Sequence, residues 1–298
     1  MATTYSTPEG EMIEDHCLIT EVLGVVGNPL VDTFPCSDFF SGKTFVIKLG
    51  GSALEYQRSV LQDIVWLRAL GANPVLVHGG GPYINEWLHR LNVPTRFENG
   101  LRVTDARTLD IVRMVLLGQV NSSLVLVTTQ LGGRAVGLSG TDGNMVRACI
   151  ADERLGFVGK IEAIDPTMVQ LMLDQEYIPI IAPLGLGDDG ACLNINADLV
   201  AAHLAGALHA EKLIFLSDVA GIYSEDGSLI PELTAAEARQ LIQAGVIRDG
   251  MIPKVIACLD ALLTVPCLHI LDGREPHALL RELFSGKSAG TVIVGSRE

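Results

Sequence analysis

The 298-residue sequence has no CxxC pair, no lysine or arginine before Lys43, and no uninterrupted apolar run near the ~20 residues that a membrane span needs. Each absence excludes something. The six cysteines, Cys17, Cys36, Cys149, Cys192, Cys258 and Cys267, are scattered, which argues for reduced core thiols in a cytosolic chain over a disulfide framework or a metal site. A secretory signal wants a basic start, and a transit peptide wants arginine and few acids. The first segment instead carries Glu9, Glu11, Glu14 and Asp15. The expectation is therefore a cytoplasmic protein without a membrane segment. Cations are also scarce overall: 21 Lys and Arg face 35 Asp and Glu, for a net charge of −14. That balance disfavours nucleic acid and anionic membranes as partners. It also means that an anionic substrate needs a local positive pocket.

What is present is a globular core, with 48% hydrophobic against 19% charged residues. Residues 1–43 read as an N-terminal extension. Ser6 to Glu11 has the composition of a disordered stretch, and Ile13 to Val26 suits a short helix limited by Gly24, Gly27 and Pro29. From Thr44 onward short strands alternate with helices. FVIKL, PVLVH, RAVGL, MVRACI, FVGKI, YIPIIAP, KLIFLS, LHIL and TVIV are predicted strands. Helices are predicted over 59–70, 166 onward, 197–208, 235–244, 251–263 and 276–284. Ile84, Trp87, Leu88 and Leu91 mark one helix face, and Thr104 is predicted to cap a long helix. This pattern implies an α/β fold: a mainly parallel central sheet with helices on both faces, in two lobes, 44–210 and 211–298. Ligands of such sheets bind beyond the carboxyl ends of the strands. Gly50-Gly51 and Gly79-Gly80-Gly81 each end a strand and precede a helix, so both belong there.

Several familiar patterns do not survive inspection. GLGDDG (185–190) has dinucleotide-loop spacing but carries two aspartates and runs into extended CLNIN, so it reads as a hairpin turn. GKT at Gly42 and GKS at Gly286 lack the earlier glycine of a P-loop, where Ser37 and Arg281 stand. GKSAG together with HGGG at His78 matches esterase motifs, but no histidine follows Ser288.

The remaining clusters converge on anion chemistry. Paired glycine turns present backbone N–H groups where no Cβ blocks a ligand, which suits phosphate oxygens. Lys48 sits inside an apolar run two residues before the first glycine pair. Buried lysine needs a partner. Lys254 in DGMIPK lies near a helix start, where its charge opposes the helix dipole. LNINAD places Asn194, Asn196 and Asp198 at alternating positions of an extended segment, with Asp198 also able to cap the next helix. NGLRVTD sets Arg102 in a glycine-bordered loop, and arginine can hold a carboxylate through two parallel hydrogen bonds.

VIKLGG, VHGGGPYIN, NGLRVTD, LSGTDG, LNINAD, LSDVAGIY, DGMIPK and DGREPHALLRELF, in that order from Thr44 to the C-terminus, resemble the N-acetylglutamate kinases of the amino-acid kinase superfamily. The resemblance implies phosphorylation of the side-chain carboxylate of N-acetyl-L-glutamate by ATP, in arginine biosynthesis, with Mg2+ held mainly through the nucleotide phosphates. It implies that Lys48 contacts the transferring phosphoryl group, that Lys254 neutralises charge on the nucleotide side, and that Asp198 holds both lysines. Gly50, Gly51, Gly80 and Gly81 would give amide hydrogen bonds. Arg102, Asn194 and Asn196 would bind the acetylated amino acid, while Ser217, Asp218 and Gly221 would border the nucleotide. Residues 44–210 would form the substrate-binding domain and 211–298 the nucleotide-binding domain. The resemblance implies a homodimer, with a hexamer as the alternative, and it allows a nitrogen-signalling regulatory protein as a further partner. Three positions depart from the family pattern: Tyr83 stands where Glu is usual, Thr141 where Lys is common, and Ser288 where arginine-regulated members have Gly. A kinase of an acetylated aminoadipate and a non-catalytic sensor on the same fold are the competing readings.

Overall fold

A computed structural model describes residues 5–6, 12–13, 40–98, 100–248, 251–262, 264–284 and 288–295. Tyr5–Ser6 pairs antiparallel with Met12–Ile13, so Ser6 and Ile13 lie in a short ribbon and not in the disordered stretch and helix expected of them. The rest of that extension, with Cys17 and Cys36, falls outside the described residues, as do Asn99, Asp249, Gly250 and Gly286.

From Thr44 the order is β1 (Thr44–Leu49), α1 (Gln57–Ala69), β2 (Asn73–His78), α2 (Gly81–Arg90) and a long helix α3 (Ala106–Gln130). Then come β3 (Ala135–Ser139), β4 (Val146–Ile150), β5 (Gly159–Ile164), α4 (Thr167–Asp174), β6 (Ile178–Ala182), β7 (Leu184–Leu186), β8 (Cys192–Asn194) and α5 (Ala197–Ala207). The chain closes with β9 (Lys212–Ser217), β10 (Glu232–Thr234), α6 (Ala235–Gln243), α7 (Met251–Ala261), β11 (Cys267–Asp272), α8 (Ala278–Phe284) and β12 (Thr291–Val294). Eight strands form one sheet in the order β10-β12-β11-β9-β1-β2-β6-β3, parallel except at β11–β12. A smaller sheet, β8-β7-β4-β5, stands beside it, and β7–β8 is the hairpin expected of GLGDDG.

Strand alternation explains where the polar groups go. In β1, Phe45, Ile47 and Leu49 pack with α1, α2, α3 and α8 on one face, whereas Val46 packs with α5 and α7 on the other. Lys48 shares the face of Val46, beneath α5. In β2, Leu76 lies on the α3 face and His78 follows it there. Both faces are therefore covered, and after Thr44 and Asn73 at their starts β1 and β2 are apolar except for these two residues near their carboxyl ends.

Three local expectations need correction. The cap of α3 is Asp105, whose side chain accepts from Thr108 N; Thr104 is buried and donates to Arg102 O. The cap of α5 is Asn196, not Asp198, because Asn196 Oδ1 reaches Asp198 N and Leu199 N. That places Asp198 inside the first helical turn: the paired strand ends at Asn194, and the backbone is still extended at Asn196 before the helix begins. Finally, α3 at 25 residues is long and apolar enough to cross a membrane by length and composition. The count of uninterrupted apolar residues missed it because Gln119, Asn121, Ser122 and Ser123 punctuate the run. Its Leu109, Val112, Leu116, Val120 and Leu124 are buried.

Candidate functional site

The carboxyl ends of β1 and β2 lie side by side, with Leu49 opposite His78, and their glycine turns interlock. Gly50 N donates to Leu216 O at 2.9 Å and Gly79 N to Leu49 O at 2.9 Å. A Cβ on Gly51 would sit 2.8 Å from Pro82 Cδ, and one on Gly80 would sit 2.6 Å from Leu116 Cδ2. These turns are dense enough to exclude any side chain at either position. They floor a cleft of about 600 Å³, lined by Lys48, Gly51, Gly80, Gly81, Arg102, Asn194, Asn196 and Asp198 among others.

Lys48 Nζ lies 2.7 Å from Asp198 Oδ1, and Lys254 Nζ lies 3.3 Å from Asp198 Oδ2. One carboxylate thus bridges two ammonium groups, 206 residues apart in sequence, brought together because α5 packs over β1 and α7 packs on α5. Burial pushes the Lys48 pKa down; Asp198 opposes that, and Lys254 adds to it. Burial pushes the Asp198 carboxyl up, but Lys48 and Lys254 outweigh it and hold it below the ordinary carboxylate range. Lys48 and Lys254 around Asp198, with Arg102 in the same cleft, leave a net positive site inside an acidic molecule even with Asp218 close to the lysines.

Arg102 is the second cation of the cleft. It sits in a two-residue ribbon, Phe97–Glu98 with Leu101–Arg102, and its guanidinium lies over the Phe97 ring at 4.7 Å. One terminal nitrogen donates to Asn85 Oδ1 at 2.6 Å, while the other, Nη1, is buried with no hydrogen-bond partner. Burial lowers the Arg102 pKa, yet arginine stays charged in proteins. A buried, charged N–H group without an acceptor is a place for an anionic ligand. Asn194 donates to Thr104 Oγ1 at 3.2 Å, which ties the Arg102 loop to β8.

The residues expected to hold the acceptor thus line one cleft with Lys48 and Asp198. Gly50, Ser217, Asp218, Gly221 and Lys254 lie outside that lining. Ser217 ends β9 and donates to Asp218 Oδ1 at 3.1 Å. Asp218 also bonds Ser52; burial raises its pKa, and its own backbone amide, Ser52, Ser217 and Lys254 together hold it low. Gly221 takes a left-handed φ of 157° against Thr291, where a Cβ would overlap the Thr291 hydroxyl. Lys254 therefore touches the cleft only through Asp198. Asn85 was not predicted, because a polar residue beside the Ile84/Leu88 face reads as solvated; its partner Arg102 is distant in sequence. Of the departing positions, Thr141 Oγ1 bonds Ser139 Oγ at 2.8 Å, and Ser288 Oγ bonds Glu282 and Gly290.

Comparison with known proteins agrees with this geometry. The profile of the amino acid kinase family matches residues 43–269. The acetylglutamate kinase of Thermosynechococcus vestitus is 49% identical over 275 residues, covering 90% of this chain and 93% of that protein. That of Nostoc sp. is 46% identical over 294 residues, covering 96% and 99%. Among solved structures, N-acetylglutamate synthase from Neisseria gonorrhoeae, complexed with coenzyme A and N-acetyl-glutamate, superposes with a TM-score of 0.79 at 26% identity. The match covers 94% of this chain but spans only 64% of that one.

Proposed function

The chain belongs to the amino acid kinase family, and on that premise we propose that it transfers the γ-phosphoryl group of ATP to the side-chain carboxylate of N-acetyl-L-glutamate, giving N-acetylglutamyl phosphate and ADP in arginine biosynthesis. One observation carries this reading: Asp198 bridging Lys48 and Lys254 at the edge of a glycine-floored cleft. A carboxylate oxygen attacks phosphorus while the bond to the β,γ-bridging oxygen breaks, and that electron pair leaves with ADP. The acceptor is already an anion, so no general base is required. What the protein has to supply is positioning and relief of anion–anion repulsion.

Lys48 meets the transferring phosphoryl group from the cleft side, and Lys254 balances charge on the nucleotide side. Asp198 holds both. Gly51, Gly80 and Gly81 offer backbone N–H groups; Gly50, expected to do the same, already spends its N–H on Leu216 O. The unpartnered Arg102 nitrogen takes a carboxylate of the acetylated amino acid, with Asn194 and Asn196 beside it. Ser217, Asp218 and Gly221 border the nucleotide. Residues 44–210 form the substrate lobe and 211–298 the nucleotide lobe. Mg2+ arrives with ATP and is held mainly through its phosphates. The protein works in the cytoplasm as a homodimer; exposed Met114, Leu117 and Leu126 on α3 support association.

The test is turnover of N-acetyl-L-glutamate with MgATP, trapping the acyl phosphate as a hydroxamate, with glutamate and N-acetyl-aminoadipate as controls. Turnover of aminoadipate alone would move the assignment to that substrate; nucleotide binding without turnover would make the chain a sensor. Lys48→Ala is expected to lower kcat by about 10²- to 10³-fold, or ~3–4 kcal/mol. A variant at full rate would remove Lys48 from the mechanism.

A further inference from the structure

His78 ends β2 beside the glycine loop, and phosphoryl transfer as described gives it no role. Its side chain is fully buried on the face opposite Lys48. Nδ1 lies 2.8 Å from the Gly79 carbonyl oxygen, and Nε2 lies 3.1 Å from Asn121 Nδ2. The same Asn121 amide donates to Ile180 O at 2.8 Å. A carbonyl can only accept, so Nδ1 carries the proton. An amide NH2 can only donate, so Nε2 is bare. The partners therefore select one neutral tautomer. Burial, with the nearby charge of Lys48 adding to it, pushes the pKa down to about 4 against the opposing bond to Gly79.

The Gly79–Gly80 peptide is trans and planar, so its carbonyl and its N–H point in opposite directions. With the carbonyl drawn toward the imidazole on the α3 face, the Gly80 N–H is turned to the side of the sheet that carries Lys48. Among the described residues no acceptor takes that N–H. The arrangement is built from a distance. Met114–Asn121 is a π-helical stretch, a rare form that recurs at functional sites, and it ends on Asn121. On β3, a Cβ at Gly137 would overlap Asn121 Oδ1, so the glycine makes room for the amide.

We infer that the His78–Asn121 pair is a positioning device that ties back the Gly79 carbonyl and so aims the Gly80 N–H at the phosphoryl group. This rests on the phosphoryl-transfer assignment above. His78→Leu removes the tie and keeps apolar volume, whereas His78→Asn keeps a donor near the place of Nδ1. His78→Leu is expected to lower kcat about ten- to hundredfold, less than deleting an oxyanion donor outright. KM for both substrates should stay within about threefold, and His78→Asn should recover at least about fivefold of the loss. A packing role ranks the two variants the other way, because Leu is the better core residue. A folded His78→Leu enzyme equal to or faster than His78→Asn would therefore overturn the inference. If neither variant folds, the wild-type chain decides. Nitrogen-15 spectra of its histidines should show one ring as the neutral Nδ1–H tautomer from about pH 5.5 to 8, where an ordinary histidine titrates near 6.5. Finding no such ring, only Nε2–H tautomers or titrating rings, would refute it. A wild-type chain inactive on N-acetyl-L-glutamate would count against the substrate alone, and the spectrum would still judge the tie.

Discussion

At His78 burial sets the protonation state, and that has a consequence for stability. Its folded pKa of about 4 lies below the ordinary 6.5. Between those values the unfolded chain binds a proton that the folded chain does not, so stability rises with pH across that window. The contribution is complete above the unfolded value and disappears as pH falls toward 4. The expected slope from this residue is ~1.4 kcal/mol per pH unit. Denaturant unfolding of wild type and His78→Asn at several pH values between about 4.5 and 7 should show the two curves converging in acid. Parallel curves would mean that His78 takes up its proton inside the fold. Lys48, Asp198 and Arg102 were visible in the sequence because each is a charge in an apolar or glycine-rich setting, where a charge needs a reason. Asn85 and Asn121 were not. Both are uncharged polar residues on helices, where solvent is the usual partner, and only the packing of α2 against the Arg102 ribbon and of α3 against β2 gives them others.

Among the elements, strands were legible as short runs of aliphatic and β-branched residues, and every predicted strand from Thr44 onward has its counterpart. Helix starts were less so. Thr104 and Asp198 each have capping chemistry, but a neighbour does the capping, and tertiary contacts claim them instead: Thr104 serves Arg102 and Asn194, and Asp198 serves the two lysines. The π-helical stretch left no mark, because MVLLGQV is apolar on nearly every side and periodicity cannot register one extra residue per turn. Cap placement is directly testable. Asp105→Ala removes the bond to Thr108 N and should destabilise the fold by ~1 kcal/mol, read as a lower denaturant midpoint with unchanged slope. Asp198→Asn keeps a capping side chain but strands the buried Lys48. A larger loss from Asp105→Ala than from Asp198→Asn would mean that Asp198 is a mere helix-start residue after all.

For the molecule as a whole, β9 inserts between β1 and β11, so one sheet runs through both proposed lobes and the cleft opens at its carboxyl edge. Around that edge the charges oppose the rest of the surface. Lys48, Lys254 and Arg102 outnumber Asp198 and Asp218, whereas the molecule carries −14. Both proposed substrates are anions, so they approach against a long-range repulsion and are captured by a short-range, largely buried attraction. Salt acts unequally on these two fields. Raising ionic strength from ~0.01 to ~0.15 M shortens the screening length from ~30 to ~8 Å. That removes most of the surface repulsion and leaves buried Lys48 and part-buried Lys254, one carboxylate apart, much less affected. The kcat/KM for N-acetyl-L-glutamate should therefore rise, by about two- to fivefold, as potassium chloride is added over this range. Enzymes whose whole surface attracts their substrate show the reverse. A monotonic fall would mean that the cleft's positive field reaches far beyond its mouth and that the acidic surface plays no part in encounter.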